Sequence, residues 1–132
     1  MMNIEKLIGI PFKNNGRDFD GCDCWGLVRL FYREVLGREL PEYIVDPRDD
    51  DRVTETMISE LKTPKWEILE KPEPNCLALM KLNTKHISHC GIFLGNDRLL
   101  HCYTGCGSCI VRIKGTLWEK CIDFYVKPAG AE

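Results

Sequence analysis

No stretch of this 132-residue sequence stays apolar for the roughly 20 residues that a bilayer span requires. The opening MMNIEKLIGIPF lacks a basic leader followed by an apolar run and a small-residue cleavage site, so nothing marks a signal peptide. There is no internal repeat, low-complexity tract or Gly/Ser-rich linker, and residues 1–132 read as one domain. A basic surplus is also missing. The formal net charge of −2 argues against a general phosphate-binding surface, and nucleic acid and membrane are excluded as partners. Histidine is scarce, at three residues.

Cysteine, by contrast, is abundant, with eight residues in a chain of ordinary globular composition (44% apolar, 29% charged). Without an export signal, a disulfide framework is the weaker explanation, because cytosolic thiols are kept reduced. Metal binding, catalysis and plain packing as a small apolar side chain remain open.

The segment GIPFKNNGRDFDGCD is crowded with Gly, Asn and Asp and reads as loop. In CWGLVRLFYREVLG, Leu27, Leu30, Phe31 and Val35 share one helical side, widened by Val28, Tyr32 and Leu36. Asp23 stands at the N-cap and Gly37 at the C-terminal stop, which predicts a helix over 24–36. A second helix is expected over 48–62, with Pro47 in its first turn, Asp49 to Asp51 at its positive end, and Val53, Met57 and Leu61 four apart. Pro64, Pro72 and Pro74 break up the next stretch. From Asn75 the runs NCLALMKL, SHCGIFLG, RLLHCYT, SCIVRIK and IDFYVKP are strand-length and bounded by turn residues. Helices followed by an antiparallel meander predict an α+β domain with the first helix on one sheet face.

Cys24 falls in the first turn of the predicted helix. Unpaired N–H groups and partial positive charge at that end favour thiolate over thiol and can hold an oxyanion. A nucleophilic cysteine needs an imidazole to take its proton and return it to the leaving amine. His86 reads as a solvated loop residue, whereas His89 and His101 lie in adjacent predicted strands. If Gly95, Asn96 and Asp97 form a three-residue loop, Leu94 faces Arg98 and His89 lies opposite Tyr103, with His101 diagonal to it on the same face. A two-residue loop places the imidazoles on opposite faces. In the first geometry His101 orients His89 and fixes its tautomer.

The stretch GIPFKNNGRDFDGCDCWGLVRLFYREVLGRELP resembles the nucleophile segment of the NlpC/p-sixty cell-wall peptidases, especially their phage-encoded tail-associated branch. SHCGIFLGNDRLLHCY and LWEKCIDFYVKP resemble the family's later segments, and residues about 45–75 match little. The resemblance implies a papain-like NlpC-type core, a nucleophile helix packed on an antiparallel β-sheet. It assigns Cys24 as nucleophile, His89 as base and His101 as its orienting residue, with no cofactor and no metal. Asp23, Phe12, Trp25 and Tyr103 are the expected substrate or oxyanion contacts, together with the backbone N–H of Cys24. Phe12 replaces a tyrosine found in many members, so its hydroxyl must be supplied from elsewhere, with Tyr103 and Tyr32 as candidates. Trp25 stands where housekeeping members carry serine. The implied substrate is the peptidoglycan stem peptide. Other phage tail proteins are the implied partners. The expected location is the cytoplasm at synthesis, or a virion tail acting at the host wall.

Two other readings compete. One is a catalytically inactive scaffold of the same fold. The other is a structural zinc held by Cys102, Cys106, Cys109 and a fourth thiol such as Cys121. Cys22 reads as a packed loop residue, and Trp66 and Trp118 as core residues or, if exposed, as walls of a groove.

Overall fold

The computed structural model describes residues 3–43, 49–82 and 87–130; Pro47 and His86 lie outside them. The first helix, α1, spans Cys24–Leu36 as the pattern predicts. Asp23 is extended and its carboxylate accepts the Gly26 N–H at 2.8 Å, and Gly37 ends the helix in the left-handed region at φ 68°. Leu27, Val28, Leu30 and Phe31 are buried, while Leu36, expected on the same stripe, is exposed. Gly26 is required by contact: a Cβ there would sit 2.0 Å from the Gly16 carbonyl oxygen. Ahead of α1, the segment expected as loop holds a short hairpin, β1 (Arg17–Asp18) with β2 (Gly21–Cys22).

The second helix, α2, spans Asp50–Leu61, capped by Asp49, whose side chain accepts the Arg52 N–H at 3.2 Å. Val53 is buried and Met57 and Leu61 half-buried. The strand Trp66–Leu69 (β3) was not expected, because prolines on both sides disguise four extended residues. The remaining elements are β4 (Cys76–Met80), β5 (His89–Gly95), β6 (Arg98–Tyr103), β7 (Gly107–Arg112), a short helix α3 (Leu117–Cys121) and β8 (Ile122–Pro128).

The six-stranded antiparallel sheet runs β3-β8-β4-β5-β6-β7, so it is not the simple meander expected. β4 to β7 do form a meander, but β8 returns to pair with β4 and β3 at once, placing Val126 opposite both Leu77 and Ile68. The gain is a fully buried Val126 in the core. One sheet face carries α1 over Leu77, Leu79, Cys90, Ile92, Leu100 and Cys102. The other face groups Ala78, Met80, Leu99 and Ile113 with Trp118 of α3.

The β5–β6 connection departs from expectation in an instructive way. Its loop has two residues, Asn96 and Asp97, both with positive φ (52° and 63°), and Arg98 pairs with Gly95. Without correction, that turn would separate the two histidines. A register shift between Phe93 and Gly95 absorbs one residue, so Phe93 pairs with Leu99 and Ile92 with Leu100. The strand parity expected from the longer loop is thereby restored.

Pairing also rules on the zinc reading. His101 faces Cys109 and Cys102 faces Ser108 across β6 and β7, which puts Cys102 and Cys109 on opposite sheet faces. Cys102 is buried beneath α1 and Cys106 is exposed. These thiols cannot converge on one ion.

Candidate active site

Cys24 lies at the start of α1, beside the first residues of β5. Of the first helical amides, Gly26 donates to the Asp23 carboxylate and Leu27 to the Asp23 carbonyl. The Cys24 and Trp25 amides have no partner among the described residues, which leaves two donors for a developing oxyanion.

The thiol is held well below its ordinary range. The largest cause is a hydrogen bond from the Cys90 thiol; burial opposes it, and the hydrogen bond and charge of His89 add to it. Cys90 is correspondingly pushed up, first by that same bond and then by burial. Of the two sulfurs, Cys24 keeps the negative charge because it alone sits at a helix N-terminus. Cys90 projects from the α1 face of β5 and His89 from the other, so the sulfur lies at the strand's end, within reach of both.

His89 and His101 are 4% and 1% exposed, and His89 Nε2 lies 2.9 Å from His101 Nδ1. Burial and the charge of His89 lower the His101 pKa to about 3, so its ring stays neutral and offers one accepting nitrogen. In the tautomer whose accepting nitrogen is Nδ1, His89 donates from Nε2 and keeps its own Nδ1 for the sulfur of Cys24. Trp118 packs edge-on against His101 with centroids 4.4 Å apart, and Tyr103 lies nearly parallel to it at 6.3 Å. Gly91 makes room for this pair: a Cβ there would come within 3.0 Å of His101 Cβ and 2.9 Å of the Leu100 carbonyl oxygen.

Asp23 is almost wholly engaged within the protein. Its carboxylate accepts from Gly26 N–H, Asn15 N–H and Arg17 Nη1, each at 2.8 Å. Burial, then the Cys24 charge, raises its pKa, and these three donors oppose the rise. Its side chain thus braces the nucleophile turn while it also lines the cavity at Cys24. Phe12 bridges to Cys22 and packs on the core, away from the cavity at Cys24. Tyr32 is removed as a hydroxyl source because its OH donates to the Asn75 carbonyl. Tyr103 does face the histidines, 5.7 Å from His89. Trp25 lines the cavity and donates Nε1 to the Pro41 carbonyl at 2.9 Å.

Two residues of the site escape sequence reasoning. Cys90 follows His89 directly, and strand alternation assigns it to the opposite face, away from the base. Arg17 sits in a stretch taken as loop. Its only signal is the pair of acidic residues, Asp23 and Glu42, that it comes to meet.

The NlpC/P60 family model matches residues 9–126. The chain is 26% identical over 112 residues to the Murein DD-endopeptidase MepS/Murein LD-carboxypeptidase of Escherichia coli K12, covering 85% of this chain and 52% of that protein. It is 30% identical over 86 residues to the Tail tip assembly protein K of Escherichia phage N15, covering 60% of this chain and 34% of the phage protein. The chain thus spans about half or less of the length of these curated relatives. Among solved structures, the NlpC/p60 domain of the peptidoglycan hydrolase SagA superposes with a TM-score of 0.62 at 22% identity, covering 93% of this chain and 91% of that domain. An NLP/P60 family protein similar to a lipoprotein, from Staphylococcus aureus Mu50, gives a TM-score of 0.64 at 18% identity, covering 95% of this chain and 39% of that one.

Proposed function

This chain belongs to the NlpC/P60 family, and on that footing we propose that it is a cysteine peptidase cleaving amide bonds in peptidoglycan stem peptides. The observation that carries the proposal is the buried relay from the Cys24 sulfur through His89 to His101. The thiolate attacks the amide carbonyl, and the oxygen's new charge is met by the Cys24 and Trp25 amides. His89 passes its proton to the leaving amine, then takes one from the water that hydrolyses the thioester. His101, neutral throughout, acts as a positioning residue. A murein endopeptidase among the relatives supports the substrate, and the tail tip protein supports a role at the end of a phage tail, acting on the host wall.

Incubation of the reduced protein with purified stem peptides, followed by mass analysis, tests this. Fragments are expected from the wild type, with a loss of about 10⁴-fold or more in Cys24→Ala. Equal cleavage by both proteins, or none by either, removes the peptidase reading and favours the inactive scaffold.

A further inference from the structure

A cavity of about 780 Å³, including its mouth open to solvent, adjoins Cys24 on the α1 face of the sheet. Trp66 of β3 and Val126 of β8 form part of its wall, and its lining holds two cysteines, Cys24 and Cys90. They come from elements far apart in the chain, the first turn of α1 and the start of β5. Packing of α1 on the sheet brings the two sulfurs within hydrogen-bond reach. A disulfide needs its sulfurs about 2.05 Å apart, so this pair has only the last step of approach to make. Cys90 is 1% exposed, which closes it to thiols in solution, whereas Cys24 is half-buried and open to the cavity.

The other thiols are placed differently. Cys102 turns its sulfur to the Cys22 carbonyl at 3.2 Å, Cys76 lies opposite Phe93 at the other end of the β4–β5 ladder, and Cys106 is exposed beyond β6. Three charged side chains, Asp23, Arg17 and Glu60, also reach the cavity. Asp23 and Arg17 are paired with each other at 2.8 Å, and Glu60 accepts from the Tyr43 hydroxyl and Trp66 Nε1. With the Asp23 carboxylate beside the Cys24 sulfur and the one cation already paired, a small neutral molecule reaches that sulfur more readily than an anion does.

Amide hydrolysis needs no second thiol, and the mechanism leaves Cys90 without a chemical step. We propose that Cys24 and Cys90 together are an oxidative modification site, at which a peroxide oxidises the Cys24 sulfur and Cys90 closes the product into a reversible disulfide. In the first step the Cys24 thiolate attacks one oxygen of hydrogen peroxide. The O–O bond breaks, hydroxide leaves, and Cys24 becomes a sulfenic acid. In the second step the Cys90 sulfur attacks the sulfenic sulfur. The S–O bond breaks, and the oxygen leaves as water with the Cys90 proton. Two electrons have then passed from the two sulfurs to the peroxide.

Charge sets the order of these steps. While Cys24 is an anion, the hydrogen bond that Cys90 gives it, and then burial, hold the Cys90 proton in place. Conversion of Cys24 to the neutral sulfenic acid removes the first of these causes, so Cys90 becomes easier to ionise once its sulfur is needed. The disulfide takes the nucleophile out of use and keeps it from the irreversible sulfinic and sulfonic acids. A dithiol restores both thiols by exchange. The site goes beyond the peptidase reading, and its formation does not depend on amide cleavage.

Peptide mapping tests it. The reduced protein is treated at neutral pH with a small excess of hydrogen peroxide, blocked with N-ethylmaleimide and digested, with cleavage before Asp23 separating Cys22 from Cys24. The Cys24 and Cys90 peptides are expected joined, two hydrogens lighter than the free pair. Iodoacetamide labelling of Cys24 is expected to fall by about tenfold or more and to return with dithiothreitol. Cys90→Ser is expected to send Cys24 on to acids two or three oxygens heavier, cutting the recovery by dithiothreitol about tenfold. Cys24 joined to Cys22, or oxidised while Cys90 stays free, would overturn the site, as would recovery in Cys90→Ser equal to the wild type. If Cys90→Ser does not fold, the wild-type map decides alone. Untreated protein labelled at Cys24 by iodoacetamide, with no link after peroxide, sinks this site only; no label and no link sinks the peptidase reading with it.

Discussion

Cys24 meets three groups that favour its anion: the free amides of α1, the Cys90 thiol and His89. An ordinary thiol of pKa about 8.5 is only about 0.3% ionised at pH 6. Alkylation of Cys24 by iodoacetamide is therefore expected to slow by less than about tenfold between pH 8 and pH 6, while free cysteine slows by about two orders of magnitude. Peptide mapping gives the site-specific rate, and a parallel fall in both would remove the activated thiolate. At this scale Cys24, His89 and His101 were legible because their chemistry is visible in type and position: a thiol after a capping Asp23, and two imidazoles in neighbouring strands. Cys90 was not, since strand alternation describes which face a residue takes but not what reaches around the end of the strand.

The elements carry the second half of the site's specification. Helix α1 could be bounded to the residue because its cap, apolar stripe and αL glycine agree with one another. The β5–β6 hairpin was legible only in outcome. The sequence NDR suits a two-residue turn, and the compensating irregularity near Leu94 has no composition of its own. Deleting Leu94 should remove the irregularity while leaving Gly95 opposite Arg98 and Phe93 opposite Leu99, so that His89 stays on the face of His101. Stem-peptide hydrolysis is expected to be retained, with a cooperative thermal transition still present. Hydrolysis reduced to the level of Cys24→Ala in a variant that still melts cooperatively would show that the register is set elsewhere.

For the molecule as a whole, burying a neutral imidazole links stability to acidity. His101 titrates at about 3 in the fold against 6.5 in its unperturbed state, so between these values the unfolded chain binds the extra proton. Stability from this group is complete above about pH 6.5 and declines as pH falls toward 3, by at most about 1.4 kcal/mol per pH unit. Urea melts at pH 7 and pH 5 should show His101→Gln losing up to about 2 kcal/mol less than the wild type. An identical acid loss in both would place the sensitivity in other groups. The global topology was only half legible. Strand lengths and turn residues mark β4 to β8, but no local pattern says that β8 turns back to lie beside β4.

That return has a consequence in time. A ribosome emits Cys24, His89 and His101 before it emits Ile122–Pro128, yet β3 has β8 as its sole sheet partner among the described residues. A nascent chain can thus hold every reacting side chain while the wall formed by Trp66 and Val126 is still unassembled. The order of translation makes the cleft the last part of the described fold to form.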